Sequence, residues 1–501
     1  MRIMLRLPVI IPAALMLLVL LAATDAASVE ITDPDIAIAV ETRLIKDPGV
    51  PLNAVDVNTT EGIVTLTGTV NNILARDRAV KVAGLVKGVR SVVDRIKVEP
   101  PPISDRDIRD DIIRAFVFDP LSETWELEVE VEDGKVSLFG TVDSWAEKEL
   151  VGRIAKGVRG VAELDNNIVV EHKSDRPDSE IREEIDRRLF WDALVTDYLI
   201  DVKVDDGKVT LNGTVGSTAE RLQAHRDAWV AGVKSVDSTG LEVKWWGRKD
   251  NLREDRYALR SDDQIRQAVK DALLYDPRVS GFDIGVRVVN GRVTLFGTVD
   301  NLRAKRAAAI DARNTTGVWK VENLIKVRPG TPIDEEIADN ILDTFLMDPY
   351  VERYEIDVSV FDGEAYLTGT VDSYFEKAHA DYLAAGIYGV TEVNNRLRVD
   401  DGDVLTYNPY VDPWYTYDYD WYLYPHSIPV KSDREIREDI SNEIFWSPFV
   451  DGADVTVSVD RGVATLTGRV DSWLEYSAAV ENALEGGAVM VDNELELKTT
   501  P

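Results

Sequence analysis

The stretch Leu127–Ser144, LEVEVEDGKVSLFGTVDS, decides the fold. Leu127, Val129 and Val131 alternate with glutamates, Val136 and Leu138 resume the alternation, and Asp133-Gly134 separates the two runs. Period two marks strands with one buried face, and an Asp-Gly pair suits the positive φ angles of a tight turn. The stretch therefore reads as a β-hairpin. Val142-Asp143-Ser144 then offers side chains that cap a helix running through Ile154. Gly160-Val161 turns that helix into a last strand, expected over Asn167 to Glu171.

The hairpin recurs along the chain, and an internal period must be found before any element is named. TLTGTV, SLFGTV, TLNGTV, TLFGTV, YLTGTV and TLTGRV place glycine at Gly68, Gly140, Gly213, Gly297, Gly369 and Gly468. Twenty residues before each lies the second residue of a DP-like pair: Pro48, Pro120, Ala193, Pro277, Pro349 and Pro448. About twenty residues after each comes a further glycine: Gly88, Gly160, Gly232, Gly317, Gly389 and Gly487. Asp206-Gly207, Asn290-Gly291 and Asp362-Gly363 occupy the turn in other copies. The glycine that closes the second strand is expected to allow a close backbone approach or a bulge.

Upstream of each hairpin the apolar period changes. Ile36, Val40 and Leu44, Ile181, Ile185 and Leu189, and Ile436, Ile440 and Ile444 recur every four residues, the buried stripe of a helix. Ser104-x-x-Asp107, Ser261-x-x-Gln264 and Ser432-x-x-Glu435 resemble capping boxes at its start. The DP proline stops it, having no N–H and restricting the residue before it. Each copy is thus helix, strand, strand, helix, strand in roughly 67 residues, a size at which domains still fold alone. The expected class is α+β: six tandem αββαβ units, each with a three-stranded sheet whose apolar face both helices cover. Local pattern leaves the strand order open.

The order of elements, the DP near the end of the first helix, the DG hairpin, T-L-x-G-T-V-x-S and the late G-V-x-x-V resemble the BON domain, named for bacterial osmotically induced and nodulation proteins. Six copies would cover 33–99, 104–171, 178–244, 261–328, 333–400 and 432–498. Asp192-Ala193, Ser447-Pro448 and Gly216 depart from the pattern and put local capping in doubt. The resemblance implies a mixed sheet with two helices on one face. It also implies exported envelope proteins, mostly non-enzymatic, for which phospholipid contact, stress protection and chaperone-like roles have been proposed.

Composition narrows the function. There are 57 Lys and Arg against 90 Asp and Glu, a formal charge of −33, which argues against nucleic acid because cation-driven counterion release supplies that affinity. Cysteine is absent, which removes disulfides, thiolate catalysis and Cys-ligated metals. The four histidines, His172, His225, His379 and His426, are scattered, and no GxxxxGK[ST], GxGxxG after a strand or HExxH occurs. No catalytic residue, cofactor, metal site or small-molecule substrate is expected. Residues 1–27 read as a cleaved export signal, with Arg2 and Arg6 before an apolar stretch and small residues at its end. An uncleaved anchor is the alternative. A periplasmic or otherwise exported location follows.

Two segments break the repeat. The linker 245–260 opens with Trp245-Trp246-Gly247-Arg248-Lys249, rings and cations that suit a lipid interface. Packing of those tryptophans between neighbouring units is the alternative. The insert 401–431 is rich in aromatics, among them Trp414, Tyr419 and Trp421, mixed with Asp418 and Asp420. Such density favours a binding surface, against an ordered extension packed on copies five and six. A third candidate is the start of the second helix, where Trp145, Tyr374 and Trp473 stand in copies two, five and six and Ile73, Thr218 and Leu302 in the others. These aromatics suit insertion into lipid or packing on the adjacent hairpin. The expected partner is a phospholipid surface or an envelope protein; a periplasmic chaperone or scaffold is the competing reading, and a cation-binding sensor a minor one.

Overall fold

The computed structural model describes residues 31–119, 126–171, 176–244, 260–279, 281–330, 332–399 and 431–497. Copy two shows how a unit is built. Its first helix, Asp105–Phe118, starts where the Ser104 hydroxyl accepts from the Asp107 amide. Ile108, Ile112 and Phe116 form its buried stripe. Strands Glu126–Glu132 and Lys135–Val142 pair antiparallel across a turn in which Asp133 and Gly134 have φ of 51° and 74°. The second helix, Trp145–Lys156, is capped by Ser144, whose hydroxyl accepts from the Glu147 amide. A last strand lies parallel to the second strand at Glu163–Asn166 and Val169–Val170. It starts before the expected Asn167, at the point where Gly160 has already turned the chain.

All six sheets have the same order, first strand, second, third, with the TLxGTV strand central. The centre is where the pattern is most apolar. Val64 and Leu66, Val136 and Leu138, Val209 and Leu211, and Val293 and Leu295 are fully or almost fully buried beneath the helices, each worth about 1.5–3 kcal/mol relative to exposure. The glycine closing that strand has φ of 132–136° in every copy. A Cβ on Gly68 would overlap the carbonyl oxygen of Ala54, so close backbone approach is what this position requires.

Two features were not legible in the apolar pattern, and the first of them is repeated six times. The first residue of the first helix, Asp33, Asp105, Asp178, Asp262, Asp334 or Asp433, accepts two backbone N–H groups of the hairpin turn at 2.7–3.0 Å. A hydrogen bond to a charged acceptor contributes about 1.5–3 kcal/mol net. This clamp lets Glu61 and Arg461 take positive φ in copies one and six, where no Asp or Asn is present. The second feature concerns copy three: despite Gly216, Ser217 caps its second helix and Glu220 accepts from the Gly216 amide at 2.7 Å.

The copies pack on one another in a regular plan. The residue before the late glycine donates its amide to the carbonyl of the residue before the DP pair of another copy: Lys87 to Trp446, Arg159 to Met347, Thr316 to Trp191. Copies one and six, two and five, and three and four are thereby paired, and copies one and six share a continuous core. The second-helix starts make a different contact. Ile73 of copy one is buried in the core of copy two, Trp145 of copy two lies on copy three, and Thr218 of copy three donates to Val89 of copy one at 3.1 Å. Copies one to three therefore close a ring. Leu302 of copy four enters the core of copy five with the same direction, and Asp471 and Ser472 of copy six line a cleft with Thr315–Val321 of copy four. The ring of copies one to three is thus joined to copies four to six through the three pairs, and two of its three ring contacts, four to five and six to four, recur in the second set.

Candidate functional site

Of the residues the sequence singles out, Trp145 is the one whose side chain is described. Trp245, Trp246, Arg248, Lys249, Trp414, Tyr419 and Trp421 lie outside the described residues, and so do the side chains of Tyr374 and Trp473. Trp145 is half-buried and stacks on Trp229 with centroids 5.3 Å apart and planes at 4°. Trp229 Nε1 donates to His225 Nε2 at 3.2 Å, and His225 Nδ1 faces Ser238 Oγ at 3.1 Å. Burial, helped by neighbouring Arg226, holds the His225 imidazole below its usual range. The acceptor role of Nε2 fits that neutral ring.

This aromatic cluster borders a cavity of about 640 Å³ where copies two, three and four meet. Its wall alternates arginine and carboxylate: Arg188, Arg226 and Arg278 against Glu184, Asp227 and Asp311. Glu184 accepts from Arg176 at 2.6 Å and Arg188 at 3.1 Å. Asp227 and Asp311 occupy the same place in the second helices of copies three and four, nine residues after Thr218 and Leu302. Burial pushes both carboxyls well above the usual carboxylate range, and Asp192 and Asp276 respectively add to the shift. Among the described residues no group of three or more His, Asp and Glu is arranged to hold a metal ion.

A second set of buried acids is tied to the repeat. The DP aspartate is met by the residue 31 positions later: Asp47 by Arg78 at 2.5 Å, Asp192 by Gln223 at 2.8 Å, Asp348 by His379 at 2.8 Å. Copies two and four have Leu150 and Ala307 at that position. There Asp119 is bound by Arg303 of copy four and Asp276 by Arg278 of its own loop. In copy six both sides have changed, to Ser447 and Ala478. Aligning the six copies would have exposed this exchange, because an acid retained without its helix partner implies a cation from elsewhere.

Six segments match the BON domain: 32–100, 104–172, 177–244, 261–329, 333–401 and 432–499. The chain belongs to the BON domain family. Osmotically-inducible protein Y of Escherichia coli (strain K12) is 32% identical over 143 residues, 27% of this chain and 71% of that protein. An uncharacterized protein in the gshII 5′ region of Anaplasma centrale is 24% identical over 151 residues, 30% of this chain and 95% of that protein. Among solved structures, the C-terminal domain of CdsD, a structural protein of the type III secretion system of Chlamydia trachomatis, matches at 18% identity. That match covers 45% of this chain and 100% of the CdsD chain, with a TM-score of 0.13. In the BON chain described here, no helix among the described residues is long and apolar enough to cross a membrane.

Proposed function

We propose that this chain is an exported, non-catalytic binding protein of the bacterial envelope, which contacts phospholipid or other envelope components and protects the envelope under osmotic stress. The observation that carries the reading is the 32% identity to a protein named for osmotic induction, in a chain holding six BON copies. The fold supports binding through surfaces. Contacts between copies run through helices and DP loops, while the outer faces of the sheets stay exposed at positions such as Asp56, Thr67 and Arg95. Several faces held in one body raise avidity through effective concentration, even when each binds weakly. The arginine and carboxyl groups of the central cavity hold the copies together in this reading.

Sedimentation with vesicles at low salt tests the proposal. The chain should pellet with vesicles of at least one phospholipid composition, less so when Trp245 and Trp246 are both replaced by alanine. Failure to pellet with any composition would overturn it. Suppression of client aggregation without lipid, indifferent to those tryptophans, would put a chaperone in its place.

A further inference from the structure

The six outer sheet faces are not alike in charge. In copy two the outward side chains include Glu128, Glu130 and Glu132, and the one lysine, Lys135, is held by Glu163 at 3.3 Å and Asp165 at 2.8 Å. Copy four is the reverse. Its strands are Gly285–Val289, Arg292–Val299 and Lys320–Val327. Arg287, Arg292, Lys320 and Lys326 point outward, against the single carboxylate of Glu322. Among the described residues none of these four cations takes part in an ion pair, and Arg292 lies over the Trp319 ring at 5.3 Å.

Exposed apolar side chains lie among those cations. Val289, Phe296 and Leu324 are 56%, 49% and 54% exposed, and Phe296 and Leu324 are direct neighbours in the strand register. Gly285 stands opposite Phe296, and its missing side chain leaves room for the ring to lie across the first strand. A surface that required only water would not keep three large apolar groups beside four cations in a chain of charge −33.

We propose that the outer sheet face of copy four docks on an anionic bilayer surface. The proposal rests on the lipid-contact reading above and assigns it to one face of one copy. Charge complementarity selects the occupant: Lys and Arg near an anionic leaflet attract it over about a Debye length. The acidic remainder of the molecule is screened beyond that distance. A soluble anion would use the cations alone; an interface also takes up Val289, Phe296 and Leu324 at headgroup depth. Side chains of all three strands stand on this one face.

The test compares full-length variants on phosphatidylcholine vesicles with and without phosphatidylglycerol. The quadruple variant Arg287→Glu, Arg292→Glu, Lys320→Glu, Lys326→Glu should lose about tenfold or more of its affinity for the anionic vesicles. Reversal of Arg95 and Lys97 on the copy one face should cost about twofold or less. Leu324→Ser, which leaves the charges in place, should weaken binding while keeping the salt dependence of the parent. Circular dichroism and thermal melting establish that each variant is folded. The parent binding anionic vesicles while the quadruple variant binds them equally well would overturn this assignment and leave the lipid-contact reading standing. The parent binding neither vesicle would overturn both.

Discussion

Copies one and two contain the same DP aspartate in the same buried place, yet they satisfy it differently. Asp47 is paired by Arg78 within its own copy; Asp119 is paired by Arg303, which comes from copy four. The first copy carries its own solution, whereas the second depends on the assembled molecule. Duplication within one chain permits this, because a neighbour that is always present can take over a residue the copy has lost. Leu150 stands in copy two where Arg78 stands in copy one, so the exchange is visible as a lost cation on one helix and a gained one on another.

The largest effect that would break this comparison is Arg303→Ala. Removing the guanidinium beside nearly inaccessible Asp119 should cost about 3–5 kcal/mol and lower the first unfolding midpoint by calorimetry. The same substitution combined with Leu150→Gln should regain part of that loss, by giving copy two a donor of the Gln223 kind. No regain would mean that the copies are not interchangeable at this position.

A smaller effect is expected where carboxyl groups are governed across a copy boundary. Glu485 of copy six is raised to about 7, first by burial and then by Glu443, with Arg43 and Lys46 of copy one acting the other way. A raised acid keeps its proton in the folded state while the unfolded chain has lost it. Stability therefore falls as pH rises from about 4.5 to about 7. Glu485→Gln should remove that slope and stabilise the protein above pH 7 by on the order of 3 kcal/mol, as read from melting curves across pH. An unchanged slope would reject the assignment.

Asp227 and Asp311 extend the comparison to two pairs of copies. Copies two and five carry Ile154 and Leu383 at this helical position, so their contact lacks the two buried carboxyls found between copies three and four. Asp227→Asn with Asp311→Asn should stabilise that contact at pH 7–8, because a raised acid costs stability once the unfolded chain has lost its proton, and flatten its pH dependence toward that of the apolar pair. Hydrogen exchange resolved by segment would show it. The smallest effect is Thr218→Ala, which deletes the hydroxyl donated to Val89 across the ring, at about 1 kcal/mol. A loss confined to the contact between copies three and one would locate it correctly.

Much of one copy is legible in the sequence. Period two gave the hairpin of Leu127–Leu138, the Asp-Gly pairs gave its turn, and the four-residue stripe of Ile436, Ile440 and Ile444 gave the first helix. These are local, and local sterics and burial settle them. The clamp from Asp105 to the turn at Asp133 and Gly134 spans 28 and 29 residues, so the aspartate recurs in all six copies but no local pattern names its partner. In the site, Trp145 was visible as an aromatic at a helix start, but Trp229, His225 and the paired Asp227 and Asp311 were not. Their meaning depends on which copies touch.

The sequence by itself therefore determined the number of copies, the elements of each copy and the face each element buries, because those follow from backbone sterics and apolar periodicity over a few residues. It also determined the six strand-closing glycines, since all six hold φ of 132–136°, a conformation other residues rarely adopt. Tertiary structure alone decided the order of the strands, the pairing of copy one with six, two with five and three with four, and the partners of Asp119. Contacts between copies join positions hundreds of residues apart whose local patterns are nearly identical. Which of six like surfaces meets which is settled by complementarity of side chains and by chain connection, and neither is a periodic property of the sequence.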